Sequence, residues 1–94
     1  MIRSYRDRDS AALSDGERVR RWEPFRHQAE KRLRILDAAT SLRDLAALNS
    51  NRLEALRGKR KGQYSIRVNE QWRICFEWPS DVRGPSNVEI VDYH

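Results

Sequence analysis

The chain has 94 residues, 38% of them hydrophobic and 35% charged, which predicts one domain over residues 1–94 and argues against a disordered chain. Its 19 Lys and Arg outnumber its 14 Asp and Glu and give a net charge of +5, so we expect a polyanionic or an acidic protein partner. The one cysteine excludes an internal disulfide, and neither an apolar leader nor an apolar run of about 20 residues is present, so we expect a cytoplasmic protein without a membrane segment.

The first quarter of the chain carries only short patterns. Residues 1–5 alternate between apolar and polar side chains, and we expect a strand that joins a sheet formed later in the chain. Residues 6–15 predict a short helix that is stopped by Gly16. Residues 17–23 are dense in charge and predict a loop or a single helical turn.

A stronger pattern begins at Phe25. Apolar residues recur there at spacings of three and four, which predicts an amphipathic helix with one face in a core. The residues of that face are Phe25, Ala29, Leu33, Leu36 and either Ala39 or Thr40. Ser41 and Asp44 then resemble a capping box with Asp in place of Glu, and they predict a brief third helix that continues to Leu48.

The second half of the chain predicts a β-sheet. Residues 52–56 alternate weakly, and residues 64–78 give two strictly alternating strands with a three-residue connection of hairpin length. The turn formers of residues 79–87 predict a loop, and residues 88–91 predict a last strand. Helices followed by antiparallel strands predict an α+β fold in which the helices cover one sheet face and leave the other open.

The open face of the predicted hairpin carries positive charge. Arg67 and Arg73 fall on that face, and a basic loop precedes the hairpin. The cations of this basic loop are Arg57, Lys59, Arg60 and Lys61. Because such side chains bind phosphate, the region is a candidate RNA-binding surface; a merely solvated strand face is the alternative interpretation.

The remaining aromatic, cysteine and histidine side chains favour structural roles. Trp72, Phe76 and Trp78 share a strand face and predict core packing, whereas Tyr64 is compatible with either packing or base stacking. Cys75 predicts a small packed residue, and His27 falls on the polar side of the long helix. Two histidines and one cysteine cannot form a zinc site, and we expect no metal and no cofactor.

Three segments together resemble a known family. Residues 56–68, the Trp-Arg-Ile pattern at 72–74 and the ending Val-Asp-Tyr-His at 91–94 resemble the HigB toxins of the RelE superfamily, also called plasmid maintenance killer proteins. Residues 1–5 are similar to the opening strand of the family, so the resemblance covers essentially the whole chain.

The resemblance implies a RelE-like fold and the toxin of a type II toxin-antitoxin system. Such a toxin inhibits translation as a ribosome-dependent endoribonuclease, or mRNA interferase, which cleaves mRNA in the ribosomal A site. The resemblance also implies a HigA-like helix-turn-helix antitoxin as the partner, with operator DNA bound only through that antitoxin.

The resemblance further assigns Arg73, Asp92, Tyr93 and His94 to an active site. Attack of a ribose 2′-OH on its neighbouring phosphate needs a base, an acid and a cation for the phosphorane charge, and it needs no metal. Arg73 would be that cation, and Asp92 would orient His94 or engage Arg73. Tyr93 would assist proton transfer or stack on a base. His94 lies beside its own terminal carboxylate, which is expected to raise its pKa and suit it to act as a general acid.

Two positions depart from the pattern of the family. Some members have a histidine where Glu54 stands and a lysine where Arg57 stands. Arg57 can hold a phosphate but cannot transfer a proton, and Glu54 is either a base or a support for the fold. These departures keep an alternative open, a non-catalytic RNA- or ribosome-binding module on the same fold. A DNA-binding regulator is less consistent with the sequence, because no recognition-helix pair is evident.

Overall fold

The computed structural model describes residues 1–92, and over this range it confirms the predicted α+β class. Its helices are α1 (Arg8–Ser14), α2 (Arg26–Ala38) and α3 (Leu42–Ala47). Its strands are β1 (Glu54–Ala55), β2 (Gln63–Arg67), β3 (Arg73–Glu77) and β4 (Ser86–Val91). Short 3-10 turns span Arg20–Phe25, Asn49–Asn51 and Gly58–Arg60. Within residues 1–92, no helix combines the length and the apolar character needed to span a membrane.

Polar side chains define where the short helices begin. Asp7 accepts a hydrogen bond from the Ser10 amide at 2.7 Å and caps α1. Ser41 accepts from the Asp44 amide at 3.2 Å, as the capping box predicts. The Asp44 carboxylate accepts hydrogen bonds from the Thr40 hydroxyl and amide, and these bonds are the main reason that the pKa of Asp44 is lowered.

The four strands form an antiparallel sheet in the order β1-β2-β3-β4. The predicted hairpin is present, with Ile66 opposite Ile74 in its register. Its connection needs no Asn-Gly pair, because the Asn69 side chain accepts hydrogen bonds from the amides of Gln71 and Trp72, each at 2.8 Å.

The prediction of a strand at residues 1–5 is only partly right. This segment runs parallel to the start of β4 but forms a single bridge, between Tyr5 and Val88. The ladder stops there because the Asn87 backbone is left-handed, with φ of 51°, and its amide donates to the Ser4 hydroxyl instead of a backbone carbonyl. The N-terminal segment is therefore attached to the β4 edge of the sheet but does not form a fifth strand.

The core lies between the helices and one face of the sheet. It contains the predicted residues Ala29, Leu33 and Leu36 of α2. The largest fully buried side chains around them are Trp22, Phe76, Leu13, Leu45, Ile66, Ile74 and Val88. Burying one such side chain contributes roughly 1.5–3 kcal/mol, so this face of the sheet is fixed by packing.

The aromatic residues mostly behave as predicted. Phe76 is completely buried, and Trp72 stacks on Phe25 with ring centroids 5.3 Å apart. Tyr64, whose role was open, stacks on Phe76 at 6.1 Å and is half-buried. Trp78 is also half-buried and packs against the core cluster. The helix-covered face thus uses its aromatic rings for packing, and the polar chemistry is left to the other face.

Candidate active site on the second sheet face

The sheet face opposite the helices carries a row of polar and charged side chains. Ser65 and Cys75 are direct neighbours at its centre, and both are completely buried. The sequence predicted that this face would be open. The prediction is only partly right, because the middle of the face is buried. Burial is the main reason that the pKa of the Cys75 thiol rises from its ordinary 9.0 to about 11. This confirms Cys75 as a packed residue and leaves it protonated at neutral pH.

Arg67 and Arg73 face each other across the hairpin. They are paired residues in the register of β2 and β3, and like charges in directly opposite positions destabilise a sheet. Packing does not require this arrangement. Arg67 donates from Nε to the Asn69 carbonyl at 3.2 Å, which relieves part of the repulsion.

The Arg73 guanidinium is held from two sides. Its Nε donates to the Ser65 hydroxyl at 2.7 Å, and its Nη2 donates to the Arg52 carbonyl at 2.6 Å. Nη2 also lies 3.5 Å from a carboxylate oxygen of Glu54. The Arg73 side chain is only 17% exposed, whereas that of Glu54 is 61% exposed. Within residues 1–92, the third edge of the guanidinium, Nη1, has no hydrogen-bond partner. A fixed cation with an unused donor edge is suited to a phosphate oxygen.

Arg73 lies in a surface cleft of about 620 Å3 at the hairpin end of the sheet. Its described lining is Arg52, Leu53, Glu54, Arg67, Asn69, Glu70, Gln71 and Arg73. The described lining itself holds three arginines and two glutamates, an excess of one positive charge. The volume lies within the range that small ligands occupy in proteins, so the cleft has room for a nucleotide unit.

The end of β4 leads to the same cleft. Asp92 accepts a hydrogen bond from Gln71 Nε2 at 2.7 Å, and Gln71 lines the cleft. Asp92 and Arg73 therefore lie at one end of the sheet, as the prediction requires. Tyr93 and His94, the other two predicted catalytic residues, lie outside the described residues.

The basic loop lies at the opposite end of β2. Leu56 donates its amide to the Gln63 carbonyl at 2.9 Å, so the loop closes beside the first residue of β2, whereas Arg67 is the last. Four strand steps separate Gln63 from Arg67, or about 13 Å. The structure does not bring the loop cations into the cleft. Arg57, Lys59 and Lys61 are instead exposed on the surface of the loop.

Arg60 differs from the other cations of the basic loop. Its Nη1 lies 2.9 Å from Gln63 Oε1 and 3.2 Å from Glu89 Oε2, and its side chain is 32% exposed. Glu89 also binds Arg6 at 2.9 Å and is only 12% exposed. Arg6 lies 3.6 Å from Glu77, which accepts a hydrogen bond from Asn87. We call Arg6, Arg60, Glu77 and Glu89 the ion-pair cluster; it anchors the basic loop and the N-terminal segment to the sheet.

Sequence reasoning missed several residues of the site. Ser65 could have been found, because alternation puts it on the same face as Arg67 and Arg73. Gln71 and the Arg52 carbonyl had no such signal, since turn geometry brings them to the cleft. Glu54 was singled out, and its carboxylate does lie beside Arg73. His27, predicted to be a surface residue, has a side chain that is 88% exposed.

Comparisons with known proteins agree with the resemblance. A family model described as a RelE-like toxin of the type II toxin-antitoxin system HigB matches residues 11–94. The chain is 48% identical over 52 residues to Toxin HigB-1 of Vibrio cholerae serotype O1 (strain ATCC 39315 / El Tor Inaba N16961). That match covers 55% of each chain, so it spans about half the length of the curated relative.

Proposed function

The chain belongs to the HigB-like family of RelE-type toxins of type II toxin-antitoxin systems, and we propose that it is a ribosome-dependent mRNA endonuclease that cleaves mRNA in the A site. The observation that carries this proposal is the Arg73 guanidinium, fixed by Ser65 and the Arg52 carbonyl, with Nη1 left unused by the described residues. A cation held in this way can stabilise the charge that develops on a phosphate without having to reorganise first.

The proposed reaction is an internal transfer at one phosphate of the message. The ribose 2′ oxygen attacks the adjacent phosphorus, and the bond from phosphorus to the 5′ oxygen of the next nucleotide breaks. A base takes the 2′-OH proton, and an acid gives a proton to the leaving 5′ oxygen. Arg73 binds a non-bridging oxygen of the phosphorane, and His94 supplies the proton to the leaving group.

Two carboxylates are candidates for the base that takes the 2′-OH proton, whereas Arg73 is the one cation proposed for the phosphorane. Glu54 is the exposed carboxylate next to Arg73, and Asp92 lies at the edge of the same cleft. Arg57 cannot serve, because a guanidinium does not give up its proton at neutral pH. Few groups of this chain are therefore suited to acid-base work, and a ribosome that aligns the 2′-OH with the phosphate would supply much of the acceleration.

We propose that Arg67 and three cations of the basic loop bind the RNA backbone, and that Arg60 mainly holds the loop in place. Arg57, Lys59 and Lys61 are exposed, whereas Arg60 is bound to Glu89. HigB toxins pair with an antitoxin; for this chain we propose a HigA-like helix-turn-helix protein, with operator DNA contacted only through it. The proposed place of action is the cytoplasm, where ribosomes and messages meet.

The test is expression of the chain without its antitoxin, with growth followed and mRNA 5′ ends mapped. Wild type should arrest growth and create new ends within translated messages. Arg73→Ala and His94→Ala should abolish both effects. Arg83→Ala is a matched control, because Arg83 is an exposed arginine outside the cleft.

Two outcomes would overturn the proposal. Normal growth with intact messages, from a folded wild-type protein that binds ribosomes, would favour the non-catalytic binding module. Equal cleavage of free and ribosome-bound message by purified protein would contradict the dependence on the ribosome.

A further inference from the structure

The chain adopts an unusual backbone conformation just before the sheet begins. After the 3-10 turn Asn49–Asn51, Arg52 takes a left-handed conformation with φ of 48° and ψ of 49°. Residues other than glycine seldom adopt this conformation, and they persist in it where the surrounding structure enforces it, often at functional sites. Arg52 has neighbours that enforce it.

A buried asparagine fixes the turn from below. Asn51 is completely buried, and its Nδ2 donates to the Leu45 carbonyl at 3.0 Å. Its Oδ1 accepts from Arg32 Nη1 at 2.8 Å, and the same nitrogen lies 3.2 Å from the Ser50 hydroxyl. Arg32 belongs to α2 and Leu45 to α3, so the two helices and the turn are joined by one polar network.

The consequence of the turn is the direction of one carbonyl group. The left-handed conformation points the Arg52 carbonyl towards Arg73, which donates to it at 2.6 Å. Nothing in the apolar packing of the sheet would orient this edge of the guanidinium. Without the turn, Nη2 would keep only the 3.4 Å contact with the Ser65 carbonyl and the 3.5 Å contact with exposed Glu54.

We propose that Arg32 and Asn51 are positioning residues, which act through the Arg52 carbonyl to aim the free edge of Arg73 at the reacting phosphate. This inference rests on the catalytic role proposed for Arg73. It adds that the orientation of the Arg73 guanidinium depends on residues that do not contact it. One of them, Arg32, belongs to α2, and no residue of α2 is in the described lining of the cleft.

The first test compares two arginines of the same helix. Arg32→Ala removes the donor to Asn51, whereas Arg34→Ala removes an exposed arginine of α2. With mRNA on purified ribosomes, Arg32→Ala should lower kcat about 10–100-fold and leave KM within about twofold, since small misplacements of a catalytic group act on the chemical step. Arg34→Ala should change neither constant. A fall in thermal stability without this split between kcat and KM would mean that Arg32 is merely structural.

The second test separates the Arg52 backbone from its side chain. Arg52→Gly and Arg52→Val both remove the cation, but glycine adopts the left-handed conformation readily and valine does not. We expect kcat of Arg52→Val to be at least about tenfold below that of Arg52→Gly. Equal values for the two variants would overturn the role of the carbonyl.

A third measurement does not depend on catalysis. In the free protein, nitrogen NMR follows exchange of the Arg73 guanidinium protons with water, which their hydrogen bonds slow. Arg32→Ala should speed exchange of the Nη2 protons several-fold, and Arg34→Ala should not. An unchanged exchange rate in Arg32→Ala sinks the inference. If wild type instead fails to cleave mRNA while the exchange rate responds as expected, the proposed function fails and the positioning network stands.

Discussion

The two ends of the second sheet face carry the same kinds of charge and use them differently. At the hairpin end, Arg67 and Arg73 are paired across the two strands and line a cleft whose described lining has more arginines than glutamates. From the loop end to the middle of the face, where Glu89 is opposite Cys75, Arg6 and Arg60 are matched by Glu77 and Glu89 in the ion-pair cluster. Pairing, rather than the number of arginines, is what separates a candidate phosphate site from a structural anchor.

The effect of each arrangement on stability supports the same distinction between a phosphate site and a structural anchor. Two arginines in opposite positions of a hairpin cost stability, which a fold would retain only where the charge has a use. A half-buried ion pair between neighbouring elements, in contrast, holds them together and leaves little charge for a ligand. The predictions below test this contrast, from the largest expected effect to the smallest.

Removing Arg73 should have the largest effect on activity. Arg73→Ala takes away the oriented donor edge, and the loss of one such donor in other enzymes lowers the rate about 10²–10³-fold. The measurement is the single-turnover cleavage rate of mRNA on purified ribosomes. Arg73→Lys should recover little of the loss, because an ammonium cannot bind Ser65, the Arg52 carbonyl and a phosphate in one plane. A rate within about threefold of wild type for Arg73→Ala would contradict the assignment.

Removing Glu89 should affect stability instead. Glu89→Ala removes the largely buried carboxylate that exposed Arg6 and half-buried Arg60 share, and we expect a loss of about 1–3 kcal/mol in the free energy of unfolding. Urea denaturation measures this loss. The cleavage rate per folded molecule should stay within about twofold of wild type, since no member of the cluster is among the described residues that line the cleft. A stable Glu89→Ala protein with a strongly lowered rate would erase the contrast between the two ends.

Removing single cations should separate the two ends by salt dependence. Arg67→Ala should lower the slope of log affinity for single-stranded RNA against log salt by about 0.7, the value for one lost phosphate contact. Arg60→Ala should leave the slope nearly unchanged, because Glu89 already neutralises Arg60. Fluorescence anisotropy at several salt concentrations measures both slopes, and the opposite ranking would show that Arg60, rather than Arg67, contacts phosphate.

The smallest effect concerns Cys75, at the centre of the same face. Its pKa is raised to about 11 by burial, above the 9.0 of an ordinary thiol. The folded state therefore holds its proton more tightly than the unfolded state, and this contribution to stability is complete below pH 9 and is lost as pH rises towards 11. Wild type should lose more stability than Cys75→Ala over that range, by on the order of 1 kcal/mol. Parallel curves for the two proteins would show that the thiol is not shielded.

Much of the fold could be predicted from the sequence because it depends on periodic patterns. The spacing of Ala29, Leu33 and Leu36 predicted α2, and alternation around Ile66 and Ile74 predicted the hairpin, as the structure confirms. The N-terminal strand could not be predicted correctly, because its ladder is interrupted by the left-handed backbone of Asn87.

The site was harder to predict, because its geometry depends on contacts between distant residues. Arg60 and Glu89 are 29 positions apart, so no sequence pattern could indicate that Arg60 is paired while Lys59 is exposed. The left-handed conformation of Arg52 had no signal either, since arginine does not favour it. Arg73 was identified by its strand face and by the family resemblance, but the groups that hold it were visible only in the structure.

The most direct test asks which end of the face holds the scissile phosphate. A short RNA with a 2′-deoxy residue at the scissile position, which cannot be cleaved, is titrated into the protein while the guanidinium signals of Arg73 and Arg60 are followed by NMR. We predict that the Arg73 signals shift with saturation and that the Arg60 signals stay in place. Shifts confined to Arg60 and the basic loop would contradict the central claim, because the scissile phosphate would then lie at the loop end, away from Arg73.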